Sequence, residues 1–222
     1  MSNSGRNLAP DSANTRRDLP KDFAIFLDFF LQATAMVGED YFRLPVAGRE
    51  DLLYRERVYC YELYHCLRLS MEHSGPSFPY TLCGELDKSG HPYIRGNSLD
   101  RVKPDFLVHK PLSMTLNLVA IEVKPVARTI RGGNQTGVVG WRAIGQEEIE
   151  KDLKTLTAFH RAGSYHRAIY LIYGNDDRRF QHIRAKAAVL SDKLGTEEID
   201  LDLIDLYLHQ ESGQPASYQA WL

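Results

Sequence analysis

The residues best suited to chemistry in this chain are Asp105, preceded by Pro104, and the triplet Glu122-Val123-Lys124, the first and second acid seventeen positions apart. Side chains alternate along a strand, so in an extended segment Glu122 and Lys124 share one face while Val119, Ile121 and Val123 turn the other way into a core. Pairing with a strand that carries Asp105 puts that carboxylate across from Glu122. Two acids and an ammonium then meet at the open end of a sheet. Cleavage of a phosphodiester asks for such a set. Mg²⁺ is held by one or two carboxylates together with waters and the phosphate. It polarises the phosphoryl oxygen and activates a water, and a lysine alongside orients that water or offsets developing charge. At a strand end both polar side chains are expected half-exposed, so Glu122→Ala and Lys124→Ala are expected to leave the protein folded.

The surroundings fit a phosphate-bearing substrate. Residues 101–142 hold seven basic side chains against two acids, a local net of +5, while the whole chain carries −2. A basic stretch around an embedded carboxylate pair suits a polyanion with a metal. Within it, residues 128–141 contain Gly132, Gly133, Gly137 and Gly140 and read as a mobile loop. Arg128, Arg131 and Arg142 on and beside it are candidates for phosphate contacts. The short motif is weak alone, since a Pro-Asp pair and an acid-x-Lys triplet each arise roughly once by chance in a chain of this size. Pro10-Asp11 and Asp152-Leu153-Lys154 are such decoys. The first lies in a polar arm. The second lies on a predicted helix, where positions i and i+2 share no face.

The elements that must position these groups follow from apolar spacing. Residues 1–20 are rich in Ser, Asn, Arg and Pro and are expected to be a disordered arm. Phe23 to Met36 predicts a helix, and Glu50 to Glu72 a longer one with Leu52, Tyr59, Leu63, Cys66 and Leu67 on one face, stopped by Ser74-Gly75-Pro76. Tyr80–Glu85, Lys103–His109 and Val119–Lys124 predict three strands, with Ser89-Gly90 as a turn and Pro125 as a stop. Gln146 to His160 is helical through Ile149, Leu153, Leu156 and Phe159, and Ala168 to Tyr173 is a strand buried on both faces. Asp177 caps a helix striped by Phe180, Ile183, Ala187, Leu190 and Leu194 and closed by Gly195. Ile199 to Leu208 is a last strand. The fold class is therefore α/β, a mixed central sheet flanked by helices on both faces. One domain over residues 21–222 is expected.

Pro104-Asp105 and Glu122-Val123-Lys124, on two consecutive strands, resemble the PD-(D/E)xK nuclease superfamily, which includes restriction endonucleases. The likeness spans about residues 50–175, where helix, three strands, helix, strand is the shared core order. The resemblance implies a restriction-endonuclease-like core, Mg²⁺ dependence with Mn²⁺ as substitute, and a nucleic-acid substrate, DNA in preference to RNA. It implies Asp105 and Glu122 as metal ligands, and Lys124 as the residue that positions the attacking water. It also implies one further acid from the first core helix. Glu62 is the candidate, since Val58, Cys66 and Leu69 make a half-apolar stripe around it; Glu56 and Glu85 are its rivals. The helix after the third strand often carries a polar residue aimed at the site, and Gln146, nearest the helix start, is the candidate, in a row with Glu150 and Lys154.

Other side chains have plainer readings. His65, His109 and His160 show no metal-ligand spacing, although His109 shares a face with Asp105. Tyr59, Tyr61 and Tyr64 read as core and rim packing first and base stacking second. Cys60, Cys66 and Cys83 show no CxxC spacing and read as reduced thiols. With no apolar run of membrane length and no signal-peptide pattern, a cytoplasmic location without membrane partners is expected. A homodimer or a larger defence complex is compatible with this reading. The rival is a catalytically silent nucleic-acid-binding or partner-binding module of the same fold.

Overall fold

The structure, a computed structural model, describes residues 18–45, 47, 52–73, 78–84, 103–113, 115–130 and 140–222, with backbone only at 128–130 and 140–143. Helix α1 (Leu19–Met36) opens with Asp18, whose carboxylate accepts from the Lys21 amide, and with Pro20 in its first turn. It buries Phe23, Phe26, Phe30 and Ala33 along one stripe. A single turn, α2 (Glu39–Phe42), plugs Phe42 into the core. Helix α3 (Glu56–Glu72) buries Tyr59, Leu63, Cys66 and Leu67. It starts six residues later than its apolar spacing predicts, because Leu53 exchanges backbone hydrogen bonds with Leu44 in an isolated bridge and is held extended. The rest of the chain adds β1 (Thr81–Gly84), β2 (Phe106–His109), β3 (Asn117–Pro125), β4 (Ala127–Ile130), β5 (Gly140–Ala143), α4 (Gln146–Arg161), β6 (Tyr165–Tyr173), α5 (Asp177–Leu194), β7 (Ile204–His209) and β8 (Ser217–Gln219).

Six strands form one sheet in the order β1-β2-β3-β6-β7-β8. The β1-β2-β3 part is antiparallel, β3-β6-β7 is parallel, and β8 closes the edge antiparallel. The mixed sheet flanked by helices is thus the expected one. All nine residues of β3 are buried, because helices cover both faces. On one face α1 and α3 pack over Val119, Ile121, Val123, Ile169, Leu171 and Tyr207. On the other, Ile149, Leu153, Leu156 and Phe159 of α4 and Phe180, Ile183, Ala187 and Leu190 of α5 pack over Ala120, Tyr170, Ile172 and Leu206.

Four further expectations are corrected. Residues 128–141 are not loop throughout: β4 and β5 pair antiparallel, with Arg128 opposite Arg142. Their β-branched and aromatic residues Thr129, Ile130 and Trp141 suit a ladder, which a count of glycines overlooks. Helix α5 is capped by Asp176, whose carboxylate accepts from the Arg179 amide, one residue before the expected cap. The last predicted strand is a 3₁₀ turn at Leu201–Leu203 followed by β7, and the short β8 had no sequence assignment. The arm expected over residues 1–20 is corrected at its end, since Asp18 caps α1 and Leu19 and Pro20 open it. Residues 1–17, the turns at 74–76 and 89–90, Glu85 and Arg131 lie outside the described residues. Among the described residues no helix is long and apolar enough to cross a membrane.

Candidate active site

The antiparallel register of β2 on β3 runs Phe106 to Ile121 and Leu107 to Ala120, so one step further Asp105 faces Glu122. Here β2 has ended, and the Val123 amide takes the Asp105 carboxylate as acceptor, at 2.8 Å, in place of a strand carbonyl. Glu122 and Lys124 point to the α4 face, as alternation predicts, while Val119, Ile121 and Val123 enter the core under α1 and α3. The Lys124 ammonium donates to Glu122 Oε1 at 3.1 Å. Two more carboxylates reach it from opposite sides of the sheet: Glu56 Oε1 at 3.4 Å, from the first residue of α3, and Asp152 Oδ2 at 3.7 Å, from the middle of α4. Tyr170, the β6 neighbour of Glu122, donates its hydroxyl to Asp152. One cation therefore stands among four acids, counting Asp105.

The groups are buried, which sets their protonation. Burial pushes Asp105 up to about 8, and the Glu122 charge adds to it against the opposing Lys124 and Val123 amide. Burial likewise lifts Glu122 to about 7, with Lys124 opposing and Asp152 adding, and Asp152 to about 6. Burial alone would lower Lys124, but Glu122, Asp152, Glu56 and Asp105 reverse that and hold the ammonium well above its usual range. Such crowding of carboxylates in low dielectric is relieved by protons or by a further cation.

The donor set fits a hard divalent ion. Asp105 and Glu122 offer oxygens from adjacent strands, and the second Glu122 oxygen, Oε2, is buried without a hydrogen-bond partner. Among the described residues no three His, Cys, Asp or Glu side chains are grouped to hold an ion by themselves. An ion here would complete its shell with water and substrate oxygens, as Mg²⁺ usually does.

The structure brings Asp105, Glu122 and Lys124 together and redistributes the supporting residues. Glu62 is not the helix acid that reaches them. It faces Cys66 Sγ at 3.9 Å, whereas its rival Glu56 touches Lys124. Six residues along a helix turn the side chain by a third of a revolution and shift it by about 9 Å, so the two acids cannot serve one spot. Gln146 is exposed at the start of α4, and the side chain that α4 aims inward is Asp152, one of the decoys. A signal for it existed: Ile149, Asp152, Leu153 and Leu156 follow one apolar stripe, and an acid there is buried by the same geometry. The expectation of half-exposed site residues is also corrected, since Glu122 is 8% and Lys124 5% exposed. His109 contacts Cys83 through Nε2, four residues along β2 from Asp105. Arg128 and Arg142 lie on the β4–β5 hairpin that follows β3 directly. No family model, no curated protein and no solved structure matches this chain.

Proposed function

We propose that this protein is a metal-dependent nuclease that hydrolyses phosphodiester bonds of DNA in preference to RNA, with Mg²⁺ as cofactor and Mn²⁺ as its substitute. The observation that carries the reading is the convergence of Asp105, Glu122 and Lys124 at one sheet end, joined by Glu56 and Asp152. Buried charge without a task is costly, and this site buries Glu122, Lys124 and Asp152 with Asp105 and Glu56 half-buried beside them. Apart from the β4–β5 pair between β3 and α4, the order α3, β1-β2-β3, α4, β6 is the one implied by the PD-(D/E)xK resemblance, so a restriction-endonuclease-like core belongs to the same proposal. Asp105 and Glu122 would hold a divalent ion, which would supply Lewis-acid polarisation of a phosphoryl oxygen. Asp105 is fixed for that role by the Val123 amide, and Glu56 is the supporting acid. Lys124 donates to Glu122 with Glu56 and Asp152 within ion-pair range, and it would turn an N–H not held by Glu122 toward the attacking water. Asp152, tied to Tyr170, holds Lys124 rather than substrate. Arg128 and Arg142 of the β4–β5 pair, and Arg131 after β4 in the sequence, would contact phosphates. A cytoplasmic role in restriction or defence, as a homodimer or within a larger complex, follows from the resemblance alone.

One observation favours the silent nucleic-acid- or partner-binding module: the Lys124 ammonium is itself a cation set among Glu56, Glu122 and Asp152. Calorimetric titration with Mg²⁺ and Mn²⁺ separates the two. The nuclease binds the ion, cuts DNA in its presence, and loses both properties in Glu122→Ala. A protein that binds no divalent ion at millimolar concentration is not a nuclease of this type.

A further inference from the structure

The outward face of α3 carries Arg57, Tyr61, Tyr64 and Arg68. Their spacing of four, three and four residues places them in one row along about 16 Å of helix. Three depressions follow this row and share its tyrosines. The middle one, about 340 Å³, lies between Tyr61 and Tyr64 and is floored by Gly84 and Asp105. One beside it, about 400 Å³, contains Arg57 and Tyr61, and another, about 430 Å³, contains Tyr64 and Arg68. Tyr61 is 64% exposed, so its ring is open to a ligand. Tyr64 is fixed instead, stacked near Phe106 with its hydroxyl donated to the Leu82 carbonyl. Gly84 borders the cleft, where a Cβ would sit in ordinary contact with the Tyr64 ring at 3.6 Å.

We propose that this row is a seat for a single strand of nucleic acid, with an unpaired base entering the cleft between Tyr61 and Tyr64 beside Asp105. Alternating arginines and aromatic rings are what a single strand selects: guanidinium groups follow the phosphates, and rings stack on bases whatever their sequence. Arg68 pairs with Glu72 on its own helix, so a phosphate there displaces an exposed and weak partner. A closed duplex keeps its bases stacked inside and has none to offer to a cleft. The inference rests on the nuclease reading and specifies it: the substrate is single-stranded or locally unpaired where it passes Asp105.

The test uses the full chain without divalent ion and a fluorescent oligo-dT, with a blunt duplex of the same length for comparison. The single strand binds more tightly than the duplex. Tyr61→Ala weakens it about tenfold or more, the scale of one lost stacking contact. Tyr61→Trp retains binding, and Gly84→Leu, which fills the cleft without removing a polar group, weakens it as Tyr61→Ala does. Val189→Ala, at an exposed apolar position on α5, changes nothing. Unchanged melting temperatures show that each variant is folded. Equal affinity of wild type and Tyr61→Ala for oligo-dT overturns the proposal, as does duplex binding as tight as single-strand binding. Cleavage with Mg²⁺ separates this idea from its foundation. Tyr61-dependent strand binding without cutting sustains the seat and removes the nuclease; cutting of duplex indifferent to Tyr61 does the reverse.

Discussion

Lys124 is the residue on which the other site residues depend, and its removal has a cost that its place at a strand end does not suggest. Lys124→Ala leaves Glu56, Glu122 and Asp152 facing one another in a buried site, which destabilises the metal-free protein by about 3–5 kcal/mol. Chemical denaturation measures the loss, and metal affinity should hold or rise because a repelling neighbour has gone. Glu122→Ala, by contrast, loses metal affinity. The protonation states give a second expectation. Asp105, Glu122 and Asp152 bind protons more tightly in the fold, at about 8, 7 and 6, than in an unfolded chain. Their contribution to stability is full below about pH 4 and drains away as the pH rises toward about 8. His209 has the opposite sign. Burial lowers it to about 4, so its contribution is present above about pH 6.5 and lost as the pH falls through 4. Metal-free melting temperatures should therefore peak on the acid side of neutrality. Mg²⁺ should raise them more at pH 8 than at pH 5, because the ion competes with those protons. A flat profile with no ion effect would count against a shared carboxylate site. The shared face of Glu122 and Lys124 was legible from alternation on β3, and the place of Asp105 from the pairing of two consecutive strands. The support was not, because the burial of Asp152 depends on which helix face meets the sheet, and a two-residue motif carries no such information.

At the scale of elements, α4 supplies a contrast between two of its own polar residues. Gln146 is exposed at its first position and Asp152 lies on its buried stripe, so Gln146→Ala should leave cutting intact while Asp152→Ala reduces it about tenfold to a hundredfold by loosening Lys124. Steady-state kinetics on one substrate compares the two. The segment between β4 and β5 carries Arg131 in the sequence. Arg131→Ala should weaken DNA binding across sequences and reduce the magnitude of the salt slope by about 1 if that arginine meets a phosphate. An unchanged slope would make it surface charge. The striped helices α4 and α5 were readable nearly end to end, because each must bury one face, and α1 lacked only its first turn. The start of α3 was misplaced because Leu53 satisfies its backbone across a distant bridge, a tertiary choice that apolar spacing cannot show. The β4–β5 ladder was hidden in the same way: pairing across a glycine-rich segment depends on the partner strand, not on local composition.

At the scale of the whole molecule, the sheet keeps two apolar cores apart, and the α3 and α4 layers each lend one acid to the same ammonium. Neither layer alone owns the site. A cation captured there would act as a rivet through the sheet, and whatever loosens one layer would weaken its grip. Hydrogen exchange makes this visible. Adding Mg²⁺ should slow exchange in the first turn of α3 and the middle of α4 together, although the two segments lie on opposite faces and nearly a hundred residues apart in the chain. Protection confined to one of them would mean that the ion is held by a single layer. Joint protection would mean that ion occupancy reports the mechanical integrity of both cores, so that a protein frayed on either side is also a disarmed one.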